Sequence, residues 1–240
     1  MYRKVTLGRV FVAAVAAGVV GAAAQAGELS VKEGETIAFM GDSITQAGAR
    51  HPHGYVRLVI KGLQAAGVKA TAIPAGISGH KSNQMLARLE RDVLSKKPDW
   101  MTLSCGVNDV WHGARGVALE PYKQNITKIV EQCQAAGVKV MILTATMISE
   151  DAADARNVKL APYNEFLRAL AKEKSCLLAD LNADMQAAIA KAADKKNGKL
   201  LTRDGVHMNP AGNEMMATGI LRAFGLGEEQ VAAARKSWAE

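Results

Sequence analysis

Short apolar or β-branched segments alternate with longer segments of helical period from Thr36 onward, and this alternation predicts an α/β fold. Two further observations define the architecture. The predicted strands lack a polar face, as expected for a parallel sheet covered by helices on both sides. Two of the helical segments end at glycine and lead directly into a strand. The sequence therefore predicts a three-layer α/β/α sandwich around a five-stranded parallel sheet.

The predicted elements follow one another in a regular order. Strands are predicted at residues 36–40, 68–73, 100–104, 138–144 and 176–180. Helices with an apolar face are predicted at residues 55–66, 83–95, 122–136, 163–174, 183–193 and 211–224. In the helix 83–95, Arg88 is expected to face water together with its charged neighbours. Because no linker or repeat interrupts the series, residues 27–240 are expected to form one domain.

The first 26 residues have the pattern of a secretory signal peptide. Arg3, Lys4 and Arg9 form a basic head, residues 10–23 are uncharged, and Ala26 ends a small-residue cleavage site. An uncleaved membrane anchor is the alternative, but the apolar segment is shorter than the roughly 20 residues that cross a bilayer. We expect cleavage after Ala26, a secreted or periplasmic protein, and no stable membrane insertion afterwards.

Composition and charge exclude several classes of protein. With 49% hydrophobic residues among 240, the chain is neither disordered nor collagen-like. Without the three basic residues of the leader, 27 Lys and Arg remain against 23 Asp and Glu, a formal charge of +4. No basic run is interleaved with aromatic residues, so we expect no nucleic acid partner.

The three cysteines are too few for a disulfide scaffold and have no zinc-site spacing. An oxidising compartment permits a disulfide. However, Cys105, Cys133 and Cys176 each lie in apolar or helical sequence, which favours buried free thiols.

Polar residues follow the first two predicted strands, at the carboxyl ends where open parallel sheets bind ligands. After the first strand, Gly41-Asp42-Ser43 can present a serine hydroxyl beside free backbone amides, although Asp-Ser is also an ordinary helix N-cap. After the second strand, Gly76-Ile77-Ser78-Gly79 can bring a backbone N–H close to an anion, or simply form a flexible turn.

Two further motifs come later in the chain. Gly106-Val107-Asn108-Asp109 offers an amide donor or an Asx turn. Asp204 precedes His207 by three residues, a spacing that lets the carboxylate hold one ring nitrogen while the other accepts a proton from a serine. A metal half-site or a capped loop has the same spacing. Because no partnering ligand motif lies nearby, we expect no metal, and nothing indicates a cofactor.

In this order, the four motifs resemble the conserved blocks of the SGNH hydrolases, also called GDSL-type esterases, over roughly residues 37–219. The resemblance implies a flavodoxin-like architecture and a serine esterase. It assigns Ser43 as nucleophile, with Asp204 and His207 completing the triad. It also assigns an oxyanion hole to the backbone N–H of Ser43, the backbone N–H of Gly79 and the side-chain amide of Asn108.

The second block departs from the family pattern at two positions. Family members often have Asn where this chain has Pro74 and Asp where it has His80. Neither position is catalytic in the family, so the departures concern the shape of the second loop. His80 is interpreted either as a substrate contact or, preferably, as an exposed loop histidine.

Several polar and aromatic residues near these motifs have more than one interpretation. Asp42 and Asp109 are expected to order their loops by accepting backbone N–H groups. Trp111, just after the third motif, either stacks on a sugar ring or acyl group or packs its own loop. His51 and His53 are expected to be solvated loop residues rather than metal ligands.

The substrate expected from the sequence is a small-molecule or polysaccharide ester. The absence of a long apolar lid and an aromatic content of 5% argue against a lipase that acts on a lipid surface. Export and a compact site favour removal of acetyl or other short acyl groups from carbohydrates. The breadth of the family keeps a periplasmic thioesterase or lysophospholipase as the alternative. A non-catalytic carbohydrate-binding domain is less favoured, since every position of the triad and oxyanion hole is retained.

Overall fold

The computed structural model describes Met1, residues 29–192 and residues 199–239. The predicted signal peptide therefore lies, apart from its first residue, outside the described part. Five parallel strands form one sheet in the order β2-β1-β3-β4-β5. They are β1 (Thr36–Gly41), β2 (Thr71–Gly76), β3 (Trp100–Ser104), β4 (Lys139–Leu143) and β5 (Leu177–Ala179). The α/β class and the five-stranded parallel sheet are confirmed.

Helices join the strands and cover both faces of the sheet. Within the described residues they are α1 (Ser43–Arg50), α2 (Tyr55–Ala65), α3 (Ser82–Ala87), α4 (Leu89–Asp92), α5 (Val107–Trp111), α6 (Leu119–Ala135), α7 (Ala155–Glu173), α8 (Leu181–Lys191), α9 (Pro210–Ala223) and α10 (Glu228–Trp238). One group contains α1, α2, α8, α9 and α10, and the other contains α3, α5, α6 and α7. Strand β3, between them, is buried along its whole length, as expected for the middle of three layers.

The second strand and the helix after it differ from the prediction. Strand β2 begins and ends three residues later than expected, so Pro74 lies in the strand, paired with Phe39, rather than in the loop. This position tolerates proline because β2 is an edge strand. The predicted helix 83–95 is divided into α3, α4 and a short 3₁₀ turn, Leu94–Lys96.

The predicted helix is interrupted at Arg88. This residue lies between α3 and α4 and is only 4% exposed, so the prediction that it faces water was wrong. Its guanidinium is hydrogen-bonded to buried carbonyl oxygens at the ends of β1 and β2. Helical periodicity does not distinguish a buried arginine of this kind from a solvated one.

The strand order places the predicted motifs at one point of the sheet. From β1 the chain passes to β2 on one side, then returns to β3 on the other side, so the order reverses between β1 and β3. Loops that leave adjacent strands at such a reversal enclose a crevice. Gly41-Asp42-Ser43 follows β1 and Asn108 follows β3, and both therefore reach this crevice.

Two further expectations are addressed by the described residues. Cys105 and Cys133 are buried, Cys176 is partly buried, and all three are free thiols, as predicted. In the part of the chain with assigned structure, no helix combines the length and apolarity needed to cross a membrane.

Candidate active site

A single residue, Asp42, separates the end of β1 from the start of α1 in the nucleophile loop. Asp42 is the N-cap of α1, where its Oδ1 accepts the backbone N–H of Ile44 at 2.9 Å. Ser43 is the first residue of the helix, so no helical carbonyl precedes it to accept its N–H. Gly41 is required here because a Cβ atom would overlap the side chain of Thr45. The helix cap and the position of the serine are therefore two properties of the same turn.

Three polar side chains from two distant parts of the chain meet at this turn. Ser43 Oγ lies 2.9 Å from His207 Nε2, although 164 positions separate the two residues. His207 Nδ1 lies 2.7 Å from Asp204 Oδ2. A carboxylate at Nδ1 favours the tautomer that carries its proton there, which leaves the Nε2 lone pair facing the serine hydroxyl.

The charge of Asp204 is stabilised locally. Its Oδ1 accepts the backbone N–H of Val206 at 3.0 Å and that of His207 at 2.8 Å. Burial opposes ionisation, but these bonds and the His207 ring outweigh it and lower the pKa of Asp204 to about 2. Asp204 is therefore ionised at any pH where the protein is expected to work.

The loop that carries Asp204 and His207 is held by Glu150, which no sequence motif indicated. Glu150 is buried, and its carboxylate accepts the backbone N–H groups of Leu200, Leu201 and Thr202 at 2.6, 2.9 and 2.7 Å. One carboxylate thereby satisfies three consecutive amides, which anchors this segment to the loop after β4. The available signal was an acidic residue seven positions after a strand whose last four residues are apolar.

Asn108 lies between the loops that carry Ser43 and Gly79. Its side chain is buried, and its Nδ2 donates to Asp42 Oδ2 at 3.1 Å and to the carbonyl of His80 at 3.2 Å. Those two acceptors belong to the residue before Ser43 and the residue after Gly79. Both N–H groups of the amide thus have acceptors within the protein.

Gly79 has a backbone conformation that few other residues adopt. Its φ is +75°, in the left-handed region that favours glycine. Among the described residues, its N–H has no acceptor. The second loop therefore presents a free backbone donor next to the residue whose carbonyl contacts Asn108.

Arg88 joins the ends of β1 and β2 behind these loops. It donates from Nη2 to the carbonyl of Gly41 and from Nη1 to that of Ala75, each at 2.8 Å. Its Nε donates to His80 Nδ1 at 3.1 Å, and Asp92 Oδ2 accepts from Nη1 at 2.9 Å. Because the helical period predicts a solvated side chain at this position, the connection of Arg88 to the site was not predicted.

His80 is therefore half-buried rather than an exposed loop histidine. Burial, reinforced by the positive charge of Arg88, lowers the pKa of its ring. The imidazole is neutral when it accepts from the guanidinium at Nδ1.

Asp42 orders its own loop as predicted, whereas the backbone N–H that Asp109 accepts belongs to Ser82, at the start of α3. Asp42 is fully buried, and burial raises its pKa to about 6, against the opposing effects of the Ile44 N–H and of nearby His207. Asp109 accepts the backbone N–H of Ser82 at 3.0 Å and its hydroxyl at 2.6 Å. Burial also raises the pKa of Asp109.

An open cavity of about 410 Å³ adjoins His207. His51 and His53, both exposed as expected, contribute to its wall. Trp111 lies at the rim of the site, 39% exposed, with its ring centroid 6.4 Å from that of His207. Among residues with assigned positions, no group of three His, Cys, Asp or Glu side chains is arranged to hold a metal ion.

Comparison with known proteins gives consistent results. Residues 39–215 match the profile of the GDSL-like lipase/acylhydrolase family. An acetylxylan esterase of Geobacillus stearothermophilus is 28% identical, covering 82% of this chain and 97% of its own. Esterase TesA of Pseudomonas aeruginosa is 34% identical, but the match covers 45% of this chain and 53% of the esterase.

Solved structures agree with the sequence comparison. Axe2, an acetylxylan esterase from Geobacillus stearothermophilus, superposes with a TM-score of 0.75 at 27% identity, covering 83% of this chain and 98% of its own. The acetyl xylan esterase AlAXEase superposes with a TM-score of 0.73 at 34% identity, covering 78% and 98%. Axe2 structures include catalytic mutants in which a serine, an aspartate or a histidine is replaced by alanine.

Proposed function

This chain belongs to the GDSL-like lipase/acylhydrolase family and is a carboxylic ester hydrolase, and from that premise we propose that it removes acetyl or other short acyl groups from carbohydrates. The observation that carries the proposal is the hydrogen-bonded series from Ser43 through His207 to Asp204. Similarity to acetylxylan esterases along nearly their whole length supports the choice of substrate class.

In the proposed reaction, Ser43 Oγ attacks the ester carbonyl while His207 Nε2 accepts the serine proton. Asp204 accepts from Nδ1–H and offsets the positive charge that develops on the ring. His207 then donates its proton to the departing sugar alcohol. A water molecule repeats the sequence on the acyl-enzyme and releases the acid.

The negative oxygen of the tetrahedral intermediate needs donors that are in place beforehand. We assign the backbone N–H groups of Ser43 and Gly79, neither of which has a protein acceptor among the described residues. Asn108 supplies the third donor. Of its two contacts, the one with the His80 carbonyl is the longer, and we propose that this N–H turns from the carbonyl toward the oxyanion. The other N–H keeps its bond to Asp42 and holds the amide in place.

The proposal includes two features outside the triad. Trp111 lies beside His207 with more than a third of its surface exposed, which suits stacking on a sugar ring at the leaving-group side. Residues 1–26 act as a signal peptide, so that residues 27–240 form the secreted or periplasmic enzyme.

The decisive experiment compares wild type, Ser43→Ala and Ser95→Ala in acetate release from acetylated xylo-oligosaccharides and from p-nitrophenyl acetate. Ser95 is an exposed serine whose hydroxyl donates to the Arg91 carbonyl, so its variant is the matched control. We expect Ser43→Ala to lose about 10⁴-fold or more in kcat, with Ser95→Ala unchanged. Equal rates for wild type and Ser43→Ala would favour a carbohydrate-binding domain instead.

A series of p-nitrophenyl esters distinguishes the acyl group. Activity that falls steeply from acetyl to octanoyl supports the proposal. Activity that rises along the series would replace it with the thioesterase or lysophospholipase alternative.

A further inference from the structure

The cavity beside His207 has an unusual distribution of charge. Its walls come from α1, from the loop after α1 and from the segment around His207, and its volume of about 410 Å³ is typical of small-ligand sites. Arg50, His51, His53 and Arg203 line it together with His207, and none of the described Asp or Glu residues does. We call this cavity, with these five residues, the cationic pocket.

The positive charges of the two guanidinium groups in the cationic pocket are not neutralised by any described carboxylate. Among the described residues, neither Arg50 nor Arg203 has an ion pair or a side-chain hydrogen bond. The nearest carboxylate in sequence, Asp204, is already occupied by the His207 ring and two backbone N–H groups. Both arginines are exposed at the open cavity, so their charge is available to a ligand.

The backbone places Arg203 at the same rim as the catalytic histidine. Its N–H donates to the carbonyl of His207 at 2.8 Å, beside the antiparallel bridge between Thr202 and Met208. Arg50 is the last residue of α1, the helix that begins at Ser43. The two charges therefore belong to elements that also carry the reacting groups.

The proposed reaction determines which half of the ester meets this pocket. The carbonyl oxygen must point toward the N–H groups of Gly79 and Asn108, whereas the leaving alcohol must receive its proton from His207. Because His207 lines the cationic pocket and Gly79 and Asn108 do not, the alcohol half of the substrate is the half that reaches it.

We infer that the cationic pocket binds an anionic group on the alcohol half of the substrate, so that the enzyme selects acylated acidic sugars over neutral ones. This inference rests on the proposed function. The guanidinium fork binds carboxylate and phosphate in the same bidentate way, so a uronic acid or a sugar phosphate would satisfy it. The pocket is open to solvent, and we therefore expect a preference of roughly tenfold rather than an absolute requirement.

The test uses substrate pairs that differ only in charge. One pair is a mono-acetylated methyl glucuronoside as the free acid and as its uncharged amide. The other is a mono-acetylated methyl glucoside with and without a phosphate. We expect wild type to show kcat/KM about tenfold higher for at least one anionic member, and the pair that shows it identifies the anion.

The variant Arg50→Gln with Arg203→Gln is expected to reduce that ratio to near one through a higher KM for the anionic ester. Lys128→Gln with Lys172→Gln is the matched control, since it removes the same charge from exposed positions of α6 and α7 outside the pocket, and we expect it to keep the wild-type ratio. A ratio near one in wild type, or a tenfold ratio that survives in the arginine variant, would overturn the inference.

The two proposals fail in different ways. Hydrolysis of the uncharged amide that disappears in Ser43→Ala supports the proposed esterase whatever the ratio is. Absence of that hydrolysis in wild type would count against the esterase itself. Charge preference is read only from the ratio within each pair.

Discussion

Arg88 donates a hydrogen bond to the carbonyl of Gly41 at 2.8 Å, two residues before Ser43. The same guanidinium binds the ring of His80, whose carbonyl accepts from Asn108. One buried cation thereby connects the loop of the nucleophile with the loop that presents the Gly79 N–H. We interpret Arg88 as a positioning residue for the oxyanion donors.

Arg88→Lys is expected to lower kcat about 10- to 100-fold with little change in KM. An ammonium group cannot bond to the Gly41 and Ala75 carbonyls and the His80 ring together in the planar arrangement of a guanidinium. Misplaced donors weaken binding of the transition state more than binding of the substrate. Steady-state kinetics and urea unfolding of each variant separate this effect from lost stability.

Arg91→Lys is the matched control for Arg88→Lys. Its side chain is 72% exposed and, within the described part of the chain, bonds to Asp92 alone, so we expect wild-type kinetics. An Arg88→Lys enzyme that is folded and retains wild-type kcat would rule out the positioning role.

Asn108→Ala is expected to lower kcat about 10²–10³-fold while KM stays within a few-fold of wild type. The reason is that the amide would serve the oxyanion, which exists only after attack on the carbonyl. Asn125→Ala is a suitable control because its amide bonds to Ser82, away from the nucleophile. Wild-type kcat in Asn108→Ala, measured on the best ester, would withdraw its role as a donor.

The raised pKa of the buried Asp42 carboxyl leads us to expect that the stability of the fold depends on pH. Its pKa is about 6 in the folded protein against 3.8 for an ordinary aspartate, so burial of the charge destabilises the fold increasingly as pH rises from about 4 to about 6. At 1.36 kcal/mol per pKa unit, the destabilisation reaches about 3 kcal/mol at neutral pH and is absent below pH 3.8.

Asp42→Asn removes this ionisation. The difference in free energy of unfolding between variant and wild type should therefore shift by about 3 kcal/mol in favour of the variant between pH 4 and pH 7. Urea denaturation at one-unit pH intervals measures it. A difference that stays constant across this range would contradict the assignment.

The burial of the three cysteines determines how fast each thiol should react with a disulfide reagent. Burial raises the pKa of Cys133 to about 12 and of Cys176 to about 11, and raises that of Cys105 well above its usual value. The thiolate is the reactive species. In native protein at pH 8 we expect slow reaction with a disulfide reagent at the partly buried Cys176 only, and three equivalents in urea.

Cys176→Ser should abolish the native reaction and leave two thiols in urea. Rapid native reaction of more than one thiol, or fewer than three in unfolded wild type under non-reducing conditions, would show that the thiols are more accessible or more oxidised than the structure indicates.

Local sequence patterns were sufficient to predict most of the strands and helices. Strand composition and helical period predicted the five strands, because both depend on which faces of an element are buried. They failed at β2, where the shift to Thr71–Gly76 puts Pro74 inside a strand. Proline there normally argues against a strand, and only an edge position makes it acceptable.

By itself, the sequence determined the alternation of strands and helices and the four motifs at their ends, since these depend on neighbouring residues. Only the tertiary structure decided that Ser43 and His207 lie 2.9 Å apart, that Glu150 anchors the loop of the histidine, and that Arg50 and Arg203 share one cavity. Such contacts depend on strand order and on how loops close across the sheet. Neither is encoded in the local periodicity, because the same pattern is compatible with several strand orders.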